Sequence, residues 1–241
     1  MTAIVFAGPS LYGVDSSAFP NCRILPPAAR GDLYRQAERL PGSICLIDGT
    51  FEHHPAVWHK EILYALSQGI EVIGAASMGA LRGAECARFG MVGLGRIFRD
   101  YQSGRRVSDA DVAVLHGPEE TGFMPLTVSL ADAEYTALML FRRRHISRGI
   151  TALLMGSARA IFYKERTWQQ VVAGADFDVA NRERILQLCL SHPSLKQRDA
   201  LLALDQVNTG PIMRPKTSMA MEHFQMSQFF CQMAFDIQRT R

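Results

Sequence analysis

The stretch Gly69–Gly90, GIEVIGAASMGALRGAECARFG, constrains the fold more than any other part of the chain. Ile70-Glu71-Val72-Ile73 is a short β-branched run, the pattern of a buried strand. Gly74, Ala75 and Ala76 follow and are too small to block the approach of another group. Ser77-Met78-Gly79 then leads into a helix-forming run from Ala80 to Phe89, which Gly90 ends. Strand, tight turn, serine, helix is the layout of a nucleophile elbow. It also sets a helix N-terminus, with free N–H groups and a positive dipole end, at the mouth of a sheet. Ser77 equally suits a plain helix N-cap.

The rest of the first half repeats that alternation. Strands are expected at Thr2–Ala7, Cys22–Leu25 and Ile44–Ile47, each followed by a Gly- or Pro-bearing turn. Helices are expected at Leu33–Leu40, with Asp32 as N-cap, and from Pro55 to Gln68. Alternation at this spacing predicts a mainly parallel, doubly wound α/β sheet. Its loops 8–10, 26–32, 48–55 and 75–79 then share the carboxyl edge, where such sheets bind ligands. Beyond Gly90 a short helix is expected at Gly93–Tyr101 and a last strand at Asp111–Leu115. Helical runs take over from Ala131: 131–144, 149–164, 167–172, 179–190, 195–207 and 218–238. This predicts an α/β domain over residues 1–125 and a mainly helical region over 126–241 packed on it. The final run carries Met219, Met221, Met226, Met233 and four phenylalanines, a stripe that serves as core or as an adaptable surface.

Composition narrows the function. With 241 residues, 48% hydrophobic and 20% charged, the chain is of ordinary globular character. Its net charge of +3 is too small to argue for nucleic acid, although the second half is the more basic. The five cysteines form no CxxC pair and argue for a reducing, cytoplasmic setting. The apolar N-terminus lacks the basic region of a signal peptide, and no run is long enough to span a bilayer.

Several side chains are candidates for chemistry. In the helix from Pro55, His59 falls within the apolar arc of Trp58, Ile62, Ala65 and Leu66. It is either a satisfied core histidine or, at the ligand-binding edge, a base. Arg82 and Glu85 are three apart on the helix after Ser77, so they can pair; Arg82 would also supply positive charge to a bound anion. Gly74–Gly79 has P-loop glycine spacing, but Ala80-Leu81 replace its Lys-Ser/Thr, which argues against nucleotide hydrolysis. His53, His54 and His59 lack metal-ligand spacing, and no metal or other cofactor is expected.

Taken together, Gly8-Pro9-Ser10-Leu11, Leu25–Leu33 (LPPAARGDL), Asp48–Leu63 (DGTFEHHPAVWHKEIL) and Gly74–Phe98 (GAASMGALRGAECARFGMVGLGRIF) resemble the core domain of the TfuA family. Lys164–Trp168 (KERTW) is similar to the family's C-terminal part. Thr50 and Gly83 are small departures. The resemblance implies work beside a YcaO-type ATP-using enzyme in forming peptide-backbone thioamides, in the manner of trifolitoxin biosynthesis. It implies hydrolysis of a thiocarboxylated carrier protein similar to ThiS, releasing sulfide. A precursor peptide is a further implied partner; nucleic acid and membrane are not.

On the enzyme reading, Ser77 is nucleophile or oxyanion-site residue, His59 the base and Arg82 the anion anchor, with Asp48 or Glu52 orienting the base. Ser10, Arg30, Asp32, Gly79 and Glu85 are expected near the substrate. On the alternative reading the protein is a non-enzymatic module that docks on and activates a YcaO partner, its cleft merely holding a peptide or carrier tail.

Overall fold

The computed structural model describes residues 2–52, 54–210 and 224–239. Its centre is a five-stranded parallel sheet in the order β2-β1-β3-β4-β5. The strands are β1 (Ala3–Phe6), β2 (Cys22–Leu25), β3 (Ser43–Leu46), β4 (Glu71–Ala75) and β5 (Val92–Leu94). Registers such as Phe6 opposite Leu46, and Leu46 opposite Gly74, align the carboxyl ends of the central strands. The order reverses between β1 and β3, the topological switch point at which open α/β sheets bind ligands.

Alternate strand residues face two different cores. Ile4, Phe6, Ile44, Leu46 and Val72 pack with Leu33 and Ala37 of α1 (Asp32–Ala37) and Ile62, Ala65 and Leu66 of α2 (His59–Ser67). Val5, Cys45, Ile47, Ile73 and Ala75 pack with Ala200, Ala203 and Leu204 of α9 (Leu195–Thr209). The second face of the sheet is thus covered by a helix far along the chain. Between these lie α3 (Met78–Cys86), α4 (Gly95–Gln102), α5 (Leu130–Arg142), α6 (Arg148–Ala160), α7 (Trp168–Ala173) and α8 (Val179–Leu190). Parts of α5, α6, α7 and α8 build a core of their own around Leu140, Leu154, Val171 and Ile185. Last described is α10 (Gln228–Arg239), whose Phe230 packs against Tyr34 and Tyr64 while Phe229 and Phe235 stay exposed. Met219 and Met221 of the expected stripe lie outside the described residues.

Three expectations are corrected. Asp32 is not an N-cap: Gly31, at φ +93°, holds that position, and the Asp32 carboxylate accepts from Ala29 N–H and pairs with Arg35. The helix expected from Pro55 starts at His59, because residues 55–58 run extended; Pro55 accepts from Arg30 N–H, and Ala56 bridges Ala29. The last strand is Val92–Leu94 and not Asp111–Leu115. Its central Gly93 disguises it, and a Cβ there would lie 2.0 Å from the Phe98 ring. Residues 109–111 instead form a 3-10 turn beside the carboxyl edge.

Candidate functional site

The site is built where β1 and β3 end. After β1, Gly8 and Ser10 turn back over the sheet edge; after β3, Asp48 meets them. The Asp48 carboxylate, 2% exposed, accepts from Gly8 N–H (2.9 Å), Ser10 N–H (2.9 Å) and the Ser10 hydroxyl (2.8 Å). Such saturation is what keeps a buried carboxylate tolerable. Lys196, in the first turn of α9, brings its Nζ to 3.9 Å from Asp48 Oδ1 and donates to the Val112 carbonyl at 2.9 Å. It is 3% exposed.

Ser77 enters from the next strand. Ser77 N–H donates to the Ala75 carbonyl at 2.8 Å across Ala76, whose φ is +64°. This three-residue bond around a positive φ is a γ-turn, a rare and strained device. It drops the chain from β4 into α3 within two residues. Ser77 occupies the N-cap position, but its side chain caps nothing. Gly79 N–H donates to the Ile47 carbonyl and Ala80 N–H to the Ser77 carbonyl, while Met78 N–H has no partner among the described residues. The Ser77 hydroxyl makes a long 3.5 Å contact to the Val112 carbonyl, the same oxygen that holds Lys196. Asp48, Ser77, Met78, Val112, His116 and Lys196 are among the residues lining a cavity of about 210 Å³.

A second constellation lies outside this cavity, between α2 and α3. His59 Nε2 is 2.8 Å from Glu85 Oε2, and Arg82 Nη1 donates to the same oxygen at 2.6 Å. Arg82 Nε also donates to the Val57 carbonyl. Burial pushes the Glu85 carboxyl up, but hydrogen bonds from His59 and Arg82 outweigh it and hold it below its ordinary value. The His59 side chain is 48% exposed, so it is not a core histidine. Its ring is also not part of the cavity wall around Ser77. Arg82, Glu85 and Glu52 line an open surface groove that shares Phe51, Met78 and Asp109 with the cavity. Glu52 pairs with Lys164 at 2.5 Å.

The structure therefore brings Ser10, Asp48 and Ser77 together, and groups His59, Arg82 and Glu85 separately. Arg30 stacks over the Trp58 ring and Asp32 serves its own turn; neither lines the cavity. Gly79 is fully committed to packing, since a Cβ there would lie 1.7 Å from the Leu46 carbonyl. The residue that sequence reasoning missed is Lys196. Its signal was a charge on the buried stripe of α9, which also carries Ala200, Ala203 and Leu204. Among the described residues no cluster of His, Cys, Asp and Glu has metal-site geometry, and no helix is long and apolar enough to cross a membrane. Burial pushes the Cys86 and Cys189 thiols up to about 12, the reverse of what a sulfur-carrying thiolate needs.

Parallel sheet, switch-point cavity, buried carboxylate and buried cation define an α/β protein with a polar cavity at the carboxyl edge of its sheet. The family model described as "TfuA-like protein" matches residues 48–167, and through that stretch the chain belongs to the TfuA family. The match starts at Asp48 and contains Ser77, but neither Ser10 nor Lys196. No curated protein matches the chain.

Proposed function

We propose that the protein supplies sulfide to a YcaO-type ATP-using enzyme that makes backbone thioamides, by hydrolysing the thiocarboxylated C-terminus of a ThiS-like sulfur carrier. The family membership supports the setting. The observation that carries the chemistry is the convergence of Ser77, Lys196 and Asp48 on one cavity, with Ser10 bonded to Asp48 behind its wall.

The reaction needs no redox partner. Water adds to the thiocarboxylate carbon, forming a C–O bond. The C–S bond then breaks, and both protons of the water end on sulfur as hydrogen sulfide while the carrier keeps a carboxylate. An anionic acyl group needs a cation and hydrogen-bond donors aimed at its developing oxyanion. In this reading Lys196 holds the anionic end. Ser77, whose hydroxyl has no base hydrogen-bonded to it among the described residues, acts as an oxyanion donor together with Met78 N–H. Asp48 orients Ser10 and balances Lys196. His59, grouped with Glu85 and Arg82 outside the cavity, is assigned no proton transfer; Arg82 is a cation on the neighbouring groove.

The test is sulfide release from a thiocarboxylated carrier by the purified protein with no YcaO partner present. Release that falls about a hundredfold in Ser77→Ala and Lys196→Met supports the enzyme. The lack of a base at Ser77 favours a second reading, a module that docks on the YcaO enzyme and holds the carrier tail. No release, with the partner's rate still stimulated, would establish that one.

A further inference from the structure

Next to the cavity of Ser77 lies a larger chamber of about 340 Å³. Lys196, Pro9 and Val114 line both. The chamber wall mixes apolar groups, among them Leu126, Val128 and Trp168, with amide and hydroxyl groups such as Gln169, Gln197 and Thr136. It is therefore neither a greasy slot for a lipid nor a charged socket for a second anion. An apolar wall with a few side-chain amides and hydroxyls suits peptide main chain, which presents both carbon and unpaired N–H and C=O groups. The buried cation at the junction fixes polarity, because an anionic end belongs at Lys196 and the uncharged remainder must lie to one side.

We propose that this chamber is a subsite for the extended C-terminal tail of the carrier. The residues preceding the reacting carboxyl lie along Trp168 and Gln169, and the terminal group sits at Lys196. The proposal rests on the hydrolase reading for the identity of the terminal group, and adds the part of the substrate that no reacting residue touches. Binding energy from that remote segment would hold the carbonyl in place for attack. Small thioacids, which cannot reach the chamber, would gain nothing from it.

The test uses the full chain carrying Trp58→Phe, which leaves Trp168 as the one tryptophan. A short tryptophan-free peptide copying a carrier's C-terminus is titrated as free acid and as C-terminal amide, following Trp168 emission. The expected result is saturable binding of the acid and binding about tenfold weaker for the amide. Gln169→Phe and Leu126→Phe, both at exposed wall positions, should each weaken the acid peptide about tenfold by filling the chamber. Sulfide release from thioacetate should stay within about twofold in both variants, while KM for the carrier rises. Equal binding of acid and amide, or peptide binding indifferent to both fillings, overturns the proposal. If the wild type cleaves neither carrier nor thioacetate, the hydrolase reading fails, and the peptide titration still decides the subsite.

Discussion

Asp48 and Lys196 are a buried pair held 3.9 Å apart, each with better partners than the other. Asp48 spends its oxygens on the turn after β1, and Lys196 spends one proton on the Val112 carbonyl, leaving donor capacity toward the cavity. Removing either charge strands the other in a low-dielectric place, where an unpaired partner costs roughly 3–5 kcal/mol. Asp48→Asn should therefore lower the melting temperature far more than Ser77→Ala, whose hydroxyl holds one long contact. Calorimetry on the two variants checks the order, and equal melting temperatures would refute it. At this scale the sequence was partly legible. Ser10, Asp48 and Ser77 stood at the ends of three recognisable strands, so a parallel sheet had to bring them to one edge. Lys196 was harder to read: its spacing with Ala200, Ala203 and Leu204 is a signal, but a lysine in a first helical turn ordinarily faces water. Only the tertiary placement of α9 turns it inward. His59 failed the other way: its apolar arc assumed a helix from Pro55, and once residues 55–58 run extended it is the first helical residue and half-exposed.

The β4–α3 connection stores strain that its neighbours enforce. Ala76 has positive φ, which costs an L-residue roughly 1–2 kcal/mol relative to glycine. Glycine loses about 0.5–1 kcal/mol more chain entropy on folding, so Ala76→Gly should come out neutral to slightly stabilising. A chemical denaturation series measures it, and a loss above about 1 kcal/mol would show that the turn needs the methyl group. Gly79→Ala should instead prevent normal folding, because the added carbon meets backbone at 1.7 Å, which cannot step aside as a side-chain tip would. Gly79 is the point where α3 touches the backbone of β3.

Between α2 and α3, Glu85 is bridged by His59 and Arg82. A carboxyl held below its ordinary value contributes stability above its unfolded value, about 4.3, and loses it as pH falls through its folded one. Being part-exposed, the cluster is worth less than about 1 kcal/mol. Glu85→Gln should lower the urea midpoint slightly at about pH 7 and leave it unchanged at about pH 3. A difference that grows on acidification would contradict the assignment.

At the scale of the whole molecule, the alternation of short apolar runs and periodic ones specified a parallel sheet followed by helices, and both are present. What no local pattern could supply was which distant helix closes the open face. Ala200, Ala203 and Leu204 of α9 lie against Val5, Cys45, Ile47 and Ile73, all at most 1% exposed. A chain stopped at residue 190 would bare that face, a contiguous apolar surface of the kind that drives aggregation. Such a fragment should be insoluble or lack sharp thermal unfolding, and a soluble, cooperatively melting fragment would refute the point.

The same helix carries Lys196. During synthesis at about 5–20 residues per second, the sheet strands emerge many seconds before the cation that completes the cavity. A nascent chain already contains the segments of β1, β3 and β4, and with them Ser10, Asp48 and Ser77, while still lacking its charge for an anionic substrate. On the proposed function, the ability to liberate a toxic, diffusible sulfur species is switched on only when α9 docks, so a half-made copy, or one cut before Lys196, is silent by construction.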